Sequence, residues 1–179
     1  HTKNIMDKYI GTNEKIVIVE GGADRNESIM SGIRYIEETY GLSDDDYIVT
    51  HDSVRPFITY RIIQENIEEV KKYKAVDTVI QAIDTIIESL DGETISHIPY
   101  RNHMYQGQTP QSFHIHSLVH YYQQLSEEQK NELSDACKIF TLFGEKVKIV
   151  DGELFNIKIT TPYDLKIAQA IIQERISHD

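Results

Sequence analysis

The stretch "YIVTHDSVRPFIT", residues 47–59, begins as an apolar, β-branched run and then delivers a carboxylate, a hydroxyl and a guanidinium in quick succession: Asp52, Ser53 and Arg55. Polar groups in that density at the end of a strand either meet a ligand or cap a turn, with Arg55 making a surface ion pair. Two other clusters have the same character. "EGGADRNES" places Gly21 and Gly22 ahead of a helix start, where free backbone N–H groups can hold an anion, although an ordinary turn reads the same way. Lys158 lies inside the apolar run "NIKIT", where it either snorkels to an edge or faces a negatively charged ligand. His114, His116 and His120 are spaced so that the last two share a helix face, but no Cys or carboxylate completes a zinc site, so they read as solvated helix residues. Cys137 follows an apolar helical pattern with Ala136, Ile139 and Phe140, the signature of a buried structural thiol and not of a nucleophile.

The elements that must position these groups alternate. "KIVIVE" (15–20), "YIVTHD" (47–52) and "AVDTVIQAI" (75–83) read as strands, and helical spacing fills the gaps between them, as in "IMSGIRYIEETYG" and "YRIIQENIEEVKKY". This order predicts an α/β fold with a doubly wound, parallel sheet, whose ligands bind beyond the carboxyl ends of the strands. "DTIIES" and "ETISHIP" around "LDG" predict a β-hairpin with a short Asp-Gly turn, which projects as an arm or adds to a sheet edge. Helices return from residue 113, a short strand is expected at "FNIKIT", and a last helix starts with Thr161 as cap and Pro162 at its first position. A helix is also expected over Ile5, Met6, Tyr9 and Ile10. The chain opens as if partway through that element, so an amino-terminal segment is expected to be missing.

Composition bounds the function. The chain has 179 residues, enough for one domain with a core, and carries 18 Lys+Arg against 29 Asp+Glu, a net charge of −11. That balance argues against nonspecific nucleic-acid binding and against a membrane-surface role, while leaving room for a local phosphate site. A single cysteine cannot form an internal disulfide, so a reducing compartment, the cytoplasm, is the expected location. No apolar stretch approaches the length of a membrane span.

Together, "GGADRNESI", "VTHDSVRPF", "AVDTV", "QGQTPQSF", "SDACKI" and "NIKITTPYDL" resemble, in order and spacing, the polyol-phosphate cytidylyltransferases. That family includes methylerythritol 4-phosphate enzymes of isoprenoid synthesis and ribitol 5-phosphate enzymes of teichoic acid synthesis. The resemblance covers essentially the whole chain. "SDACKIF" and "HDSVRPF", with Phe155 where the methylerythritol branch usually has Asp, look more like the ribitol branch. The resemblance implies a Rossmann-like nucleotidyltransferase sheet and a homodimer held through a β-arm at residues 84–104. It implies transfer of a cytidylyl group from CTP, with Mg²⁺, to D-ribitol 5-phosphate, with 2-C-methyl-D-erythritol 4-phosphate as the alternative acceptor. Gly22 and Ser28 match positions lining the cytidine pocket. Asp52 matches the carboxylate near ribose, triphosphate and metal, Ser53 a neighbouring nucleotide contact, and Arg55 the support of that loop. Arg101 and Thr109 match groups that hold the acceptor phosphate, Ser134 a frequent Thr, and Lys158 the lysine at the α-phosphate. The Gly-rich loop that opens the family is absent from this sequence. The 179 residues alone are therefore expected to be inactive, and a non-catalytic interaction module is the competing reading.

Overall fold

Apolar runs of strand length become strands in this protein only where a neighbour pairs with them. The computed structural model describes residue 8 and residues 13–176, and the chain divides into two units, residues 1–44 and 45–179. In the first, helix α1 (Arg25–Tyr40) is capped by Asp24, whose side chain accepts the Glu27 N–H at 2.8 Å. Met30 and Ile33 are its buried apolar residues. The run 15–20, expected as a strand, pairs with no strand among the described residues; it opens in a turn, where the Ile16 N–H donates to Asn13 O at 3.0 Å, and Ile16, Val17, Ile18 and Val19 are all exposed. A β-branched run has high strand propensity, but propensity without a paired backbone does not make a ladder. The helix expected over residues 5–10 lies outside the described residues.

The second unit is built on β1 (Tyr47–Thr50), β2 (Ala75–Gln81), β3 (Tyr105–His114) and β4 (Val147–Asp151), in the order β1-β3-β2-β4. β2 and β4 are parallel, while β3 runs antiparallel to both β1 and β2. The strands that alternate with helices thus share one direction, as their spacing predicts, and a single reversed strand stands between two of them. That strand is "YQGQTPQSFH", which has little strand character in sequence. Its register is set by Thr50 opposite Gln111, Tyr47 opposite His114 and Ala75 opposite Phe113.

Helices cover both faces. Helix α2 (Tyr60–Val70) turns Ile62, Asn66 and Val70 inward, and Val70 packs with Val76 and Val150. On the other face α3 (Ile115–Gln124) and α5 (Cys137–Leu142) bury Leu118, Ile139 and Phe140, and Phe140 stacks on Phe113 at 5.5 Å. Ser112 and Phe113, adjacent on β3, point to opposite faces, the former accepted by Asn66 Oδ1 at 3.0 Å. The helix anticipated beyond residue 126 is two, α4 (Glu127–Asn131) and α5, and the break between them exposes Ser134 and half-buries Asp135. The capping expected for the last helix, α6 (Pro162–Ile176), is present: the Thr161 hydroxyl accepts the Asp164 N–H, and the Asp164 carboxylate accepts the Thr160 and Thr161 N–H groups.

Two local expectations are corrected. Residues 155–160 form no strand; the Ile159 N–H, donated to Val54 O at 2.8 Å, and the Asn156 carbonyl, which accepts from Arg55, tie them to the loop after β1. The arm is one isolated bridge between Glu88 and His97, closed by a long loop and not by a two-residue turn. Asp91 organises that loop by accepting from Ser89, Glu93 and Thr94, and these bonds, the Thr94 hydroxyl foremost, hold its carboxyl far below the usual range. Ile87, Leu90, Ile95 and Ile98 on this arm are exposed. Among the described residues no helix is long and apolar enough to cross a membrane.

Candidate active site

The chain leaving β1 turns back at Arg55, whose N–H donates to Asp52 O at 2.9 Å. This turn is closed by side chains. His51 Nε2 lies 2.8 Å from Arg55 O, a group that only accepts, so Nε2 donates, and in the neutral ring Nδ1 is then an acceptor. The Thr109 hydroxyl, 2.9 Å from Nδ1, therefore donates to it and accepts the Asp52 N–H at 3.1 Å. A ring of directed hydrogen bonds thus runs from Asp52 through Thr109 and His51 to Arg55 and back. It holds the Asp52 carboxylate at 15% exposure, 3.1 Å from the Lys158 ammonium and 3.7 Å from Arg55 Nε.

Lys158 is placed by the segment following β4. Arg61 on α2 anchors its start, donating to Asp151 O, Gly152 O and the Glu153 carboxylate. Gln108 pairs with Glu153, and fully buried Asn156 donates to Thr109 O at 2.9 Å. Gly152 packs close here: a Cβ would overlap Gln108 Oε1, which would have to shift. Arg55 closes the assembly by donating to Asn156 O at 2.8 Å and Gly107 O at 3.5 Å. The result is an ammonium, about half exposed, steered by a recessed carboxylate. Such a pair presents a mobile cation to an incoming anion while keeping its position defined.

The structure therefore brings Asp52, Arg55, Thr109 and Lys158 together, with Ser53 exposed on the same turn. Arg101 sits in a short 3₁₀ turn at the foot of the arm, exposed, donating to Ile83 O at 3.3 Å. In the first unit, the Ser28 hydroxyl accepts the Gly22 N–H at 3.0 Å and donates to Asp24 O, so both residues shape the loop before α1. A Cβ at Gly22 would overlap Glu27. His116 and His120 are exposed and Cys137 is buried, as their patterns predict.

Asp77 and Asp135 are residues that the sequence did not single out. Asp77, Asp135 and Cys137 bring potential ligand atoms within 4.8 Å of one another, and the Gln111 amide donates to both carboxylates. An acid in the middle of the apolar strand "AVDTV" was the available signal for Asp77.

A nucleotidyl-transfer fold with a lysine and a carboxylate paired beyond the sheet has known relatives. The family model of 2-C-methyl-D-erythritol 4-phosphate cytidylyltransferase (IspD) matches residues 2–174. The chain belongs to this family. Among solved structures it is similar to the 4-diphosphocytidyl-2C-methyl-D-erythritol synthase of Anaerococcus prevotii, with 33% identity over 96% of this chain and 75% of that one and a TM-score of 0.76. The 2-C-methyl-D-erythritol 4-phosphate cytidylyltransferase of Thermus thermophilus is 29% identical over 88% of this chain and 73% of that one, with a TM-score of 0.70. That of Francisella tularensis is 25% identical over 88% and 72%, with a TM-score of 0.78. The protein is accordingly an enzyme of the cytidylyltransferase class.

Proposed function

We propose that this cytidylyltransferase moves a cytidylyl group from CTP to a polyol phosphate. The observation that carries the reading is the Lys158–Asp52 pair at 3.1 Å, held open to solvent on the lysine side. A phosphate oxygen of the acceptor attacks the α-phosphorus of CTP, a P–O bond forms, the α–β bridge breaks, and pyrophosphate leaves with its electron pair. The nucleophile is already ionised at neutral pH, so the reaction needs positioning and charge stabilisation and no general base. Lys158 would meet the α-phosphate, where negative charge crowds in the transition state, while Asp52 keeps the ammonium aimed. Ser53 would take the nucleotide, and Arg101, Thr109 and Ser134 the acceptor; Gly22 and Ser28, in the first unit, are nucleotide candidates on the family likeness alone. The half-recessed Asp52 carboxylate fits a divalent cation such as Mg²⁺, which one or two carboxylates and the triphosphate oxygens commonly hold. Bound there, the cation would neutralise triphosphate charge.

Methylerythritol 4-phosphate is the acceptor named for the matched family. Ribitol 5-phosphate, with a place in teichoic acid synthesis, is the second reading. It is favoured by Cys137-Lys138 after Asp135-Ala136 and by Phe155 before Asn156. The exposed apolar side chains of the arm, Leu90 at 84% above all, support a homodimer formed through residues 84–104. The lone buried Cys137 suits the cytoplasm. Pyrophosphate release by the full-length protein, with CTP and each acceptor in turn, tests the proposal. The expected result is release dependent on a polyol phosphate and specific for CTP. No release with either acceptor would reject both acceptors.

A further inference from the structure

We propose that Gln108 is a positioning residue for turnover: buried and touching no reactant, it sets the place of the Lys158 ammonium by standing in for a strand partner that the chain after β4 lacks. The inference rests on the reading of Lys158 as the group that meets the α-phosphate.

Strand β3 is irregular at this point. Its Gly107 pairs with Val79 and its Gln111 with Asp77, so Gln108, Thr109 and Pro110 stand opposite Thr78 alone. Extra residues in one strand bulge out and re-aim their side chains. Fully buried Thr78 pins this bulge: its hydroxyl donates to Pro110 O at 2.6 Å and accepts from the Asn66 amide at 2.9 Å. Neighbours that would face opposite ways on a regular strand are both buried here, Gln108 at 6% exposure and Thr109 at 4%. Thr109 reaches the Asp52 turn, and Gln108 reaches the segment that carries Lys158.

That segment leaves the sheet after Gly152, whose N–H still donates to Val79 O at 2.8 Å. From there the Gln108 carboxamide continues the pattern. Its Nε2 donates to Glu153 O at 2.9 Å and its Oε1 accepts the Glu153 N–H at 3.3 Å, the exchange of bonds that two paired backbones make. Oε1 also accepts from Asn156 Nδ2 at 3.2 Å, and Asn156 in turn donates to Thr109 O at 2.9 Å. With two donors on Oε1 and almost no surface open to solvent, Gln108 acts on the reaction through residues 153–156, and so through Lys158. Lys158 depends on such support. Its ammonium is about half exposed, and the carboxylate it meets at 3.1 Å belongs to a different loop. One bulge thus places both members of the pair, Asp52 through Thr109 and Lys158 through Gln108.

Steady-state and single-turnover kinetics of the full-length enzyme test this. Gln108→Met keeps the length of the side chain and removes its hydrogen bonds. It should lower kcat about tenfold to a hundredfold, with KM for CTP and for the polyol phosphate changed less than about threefold. Gly152→Ala, whose Cβ would overlap Oε1, disturbs the same carboxamide from the other side and should also lower kcat. A double-mutant cycle separates positioning from a general loosening of the fold. In a Lys158→Ala background, Gln108→Met should change the single-turnover rate less than about threefold while still lowering Tm. An undiminished loss of rate in that background, an unchanged kcat in folded Gln108→Met, or a change confined to KM overturns the inference. A wild type inactive with CTP and every polyol phosphate would instead strike the reading of Lys158 beneath it.

Discussion

Replacing Thr109 by valine keeps the shape of a residue that is 4% exposed and deletes only its hydroxyl. Two partners lose their bond at once: the Asp52 N–H, donated at 3.1 Å, and His51 Nδ1, at 2.9 Å. His51 is exposed and can turn to water, whereas the Asp52 amide is partly buried, so the combined cost is about 2 kcal/mol from a net hydrogen bond of about 1 kcal/mol and one under-satisfied donor. For a chain of this size that lowers Tm by roughly 4–8 °C. The turn carrying Asp52 also loses its tether to β3, and with it the aim of Lys158. A shift of an ångström in such a group costs about tenfold to a hundredfold in turnover. Differential scanning calorimetry of the unliganded protein and pyrophosphate release with CTP measure the two effects, and Thr109→Ser should restore both. A Thr109→Val protein with unchanged Tm but weakened acceptor binding would show that the hydroxyl meets only the acceptor phosphate and that the hydrogen-bonded ring does not position Asp52.

Lys158→Ala should lower kcat by at least a hundredfold while changing the affinity for CTP only severalfold, since its charge is needed most in the transition state; equal losses in kcat and CTP affinity, read from single-turnover kinetics and titration, would place it in ground-state binding alone. Gly152→Ala should cost about 1–3 kcal/mol in chemical denaturation, because the added methyl group drives into Gln108, which pairs with Glu153 and Asn156; an unchanged midpoint would mean that this loop yields freely. Glu145 accepts from Lys74 and from Tyr121, and the lysine first of all holds its carboxyl below the ordinary 4.5. A lowered folded-state pKa stabilises the protein above the unfolded-state pKa, and that contribution disappears as pH falls below 4.5 through the folded value. Wild type should therefore exceed Glu145→Gln in stability by about 0.2–1 kcal/mol at pH 7, the range for a part-exposed pair, and the gap should close on acidification. A gap independent of pH would refute the ionic assignment.

Residues that were legible in the sequence are those whose roles are local. Thr161 caps the last helix through a bond to its own following turn, and β-branched runs such as "YIVT" and "AVDTV" carry their strand character in composition. The direction shared by β1, β2 and β4 follows from the helices between them. Strand β3 was not legible. Gln108, Thr109, Gln111 and Ser112 are poor candidates for the centre of a sheet, and they are buried there only because Asn156, Asp52, Asp77 and Asn66 reach them from elsewhere in the chain. A buried polar side chain is tolerated when its partners are supplied, and the supply is a tertiary fact. The run 15–20 shows the converse, since strong strand propensity did not make it a strand where none of the described residues pairs with it. Sequence alone determined the α/β class, the Thr161 cap, the family likeness and the Asp52 and Lys158 candidates. Only the folded chain could decide that these two meet at 3.1 Å, that Thr109 and His51 hold one of them in place, and that two acids far apart in sequence share one glutamine, because hydrogen bonds between distant residues leave no period in the sequence that joins them.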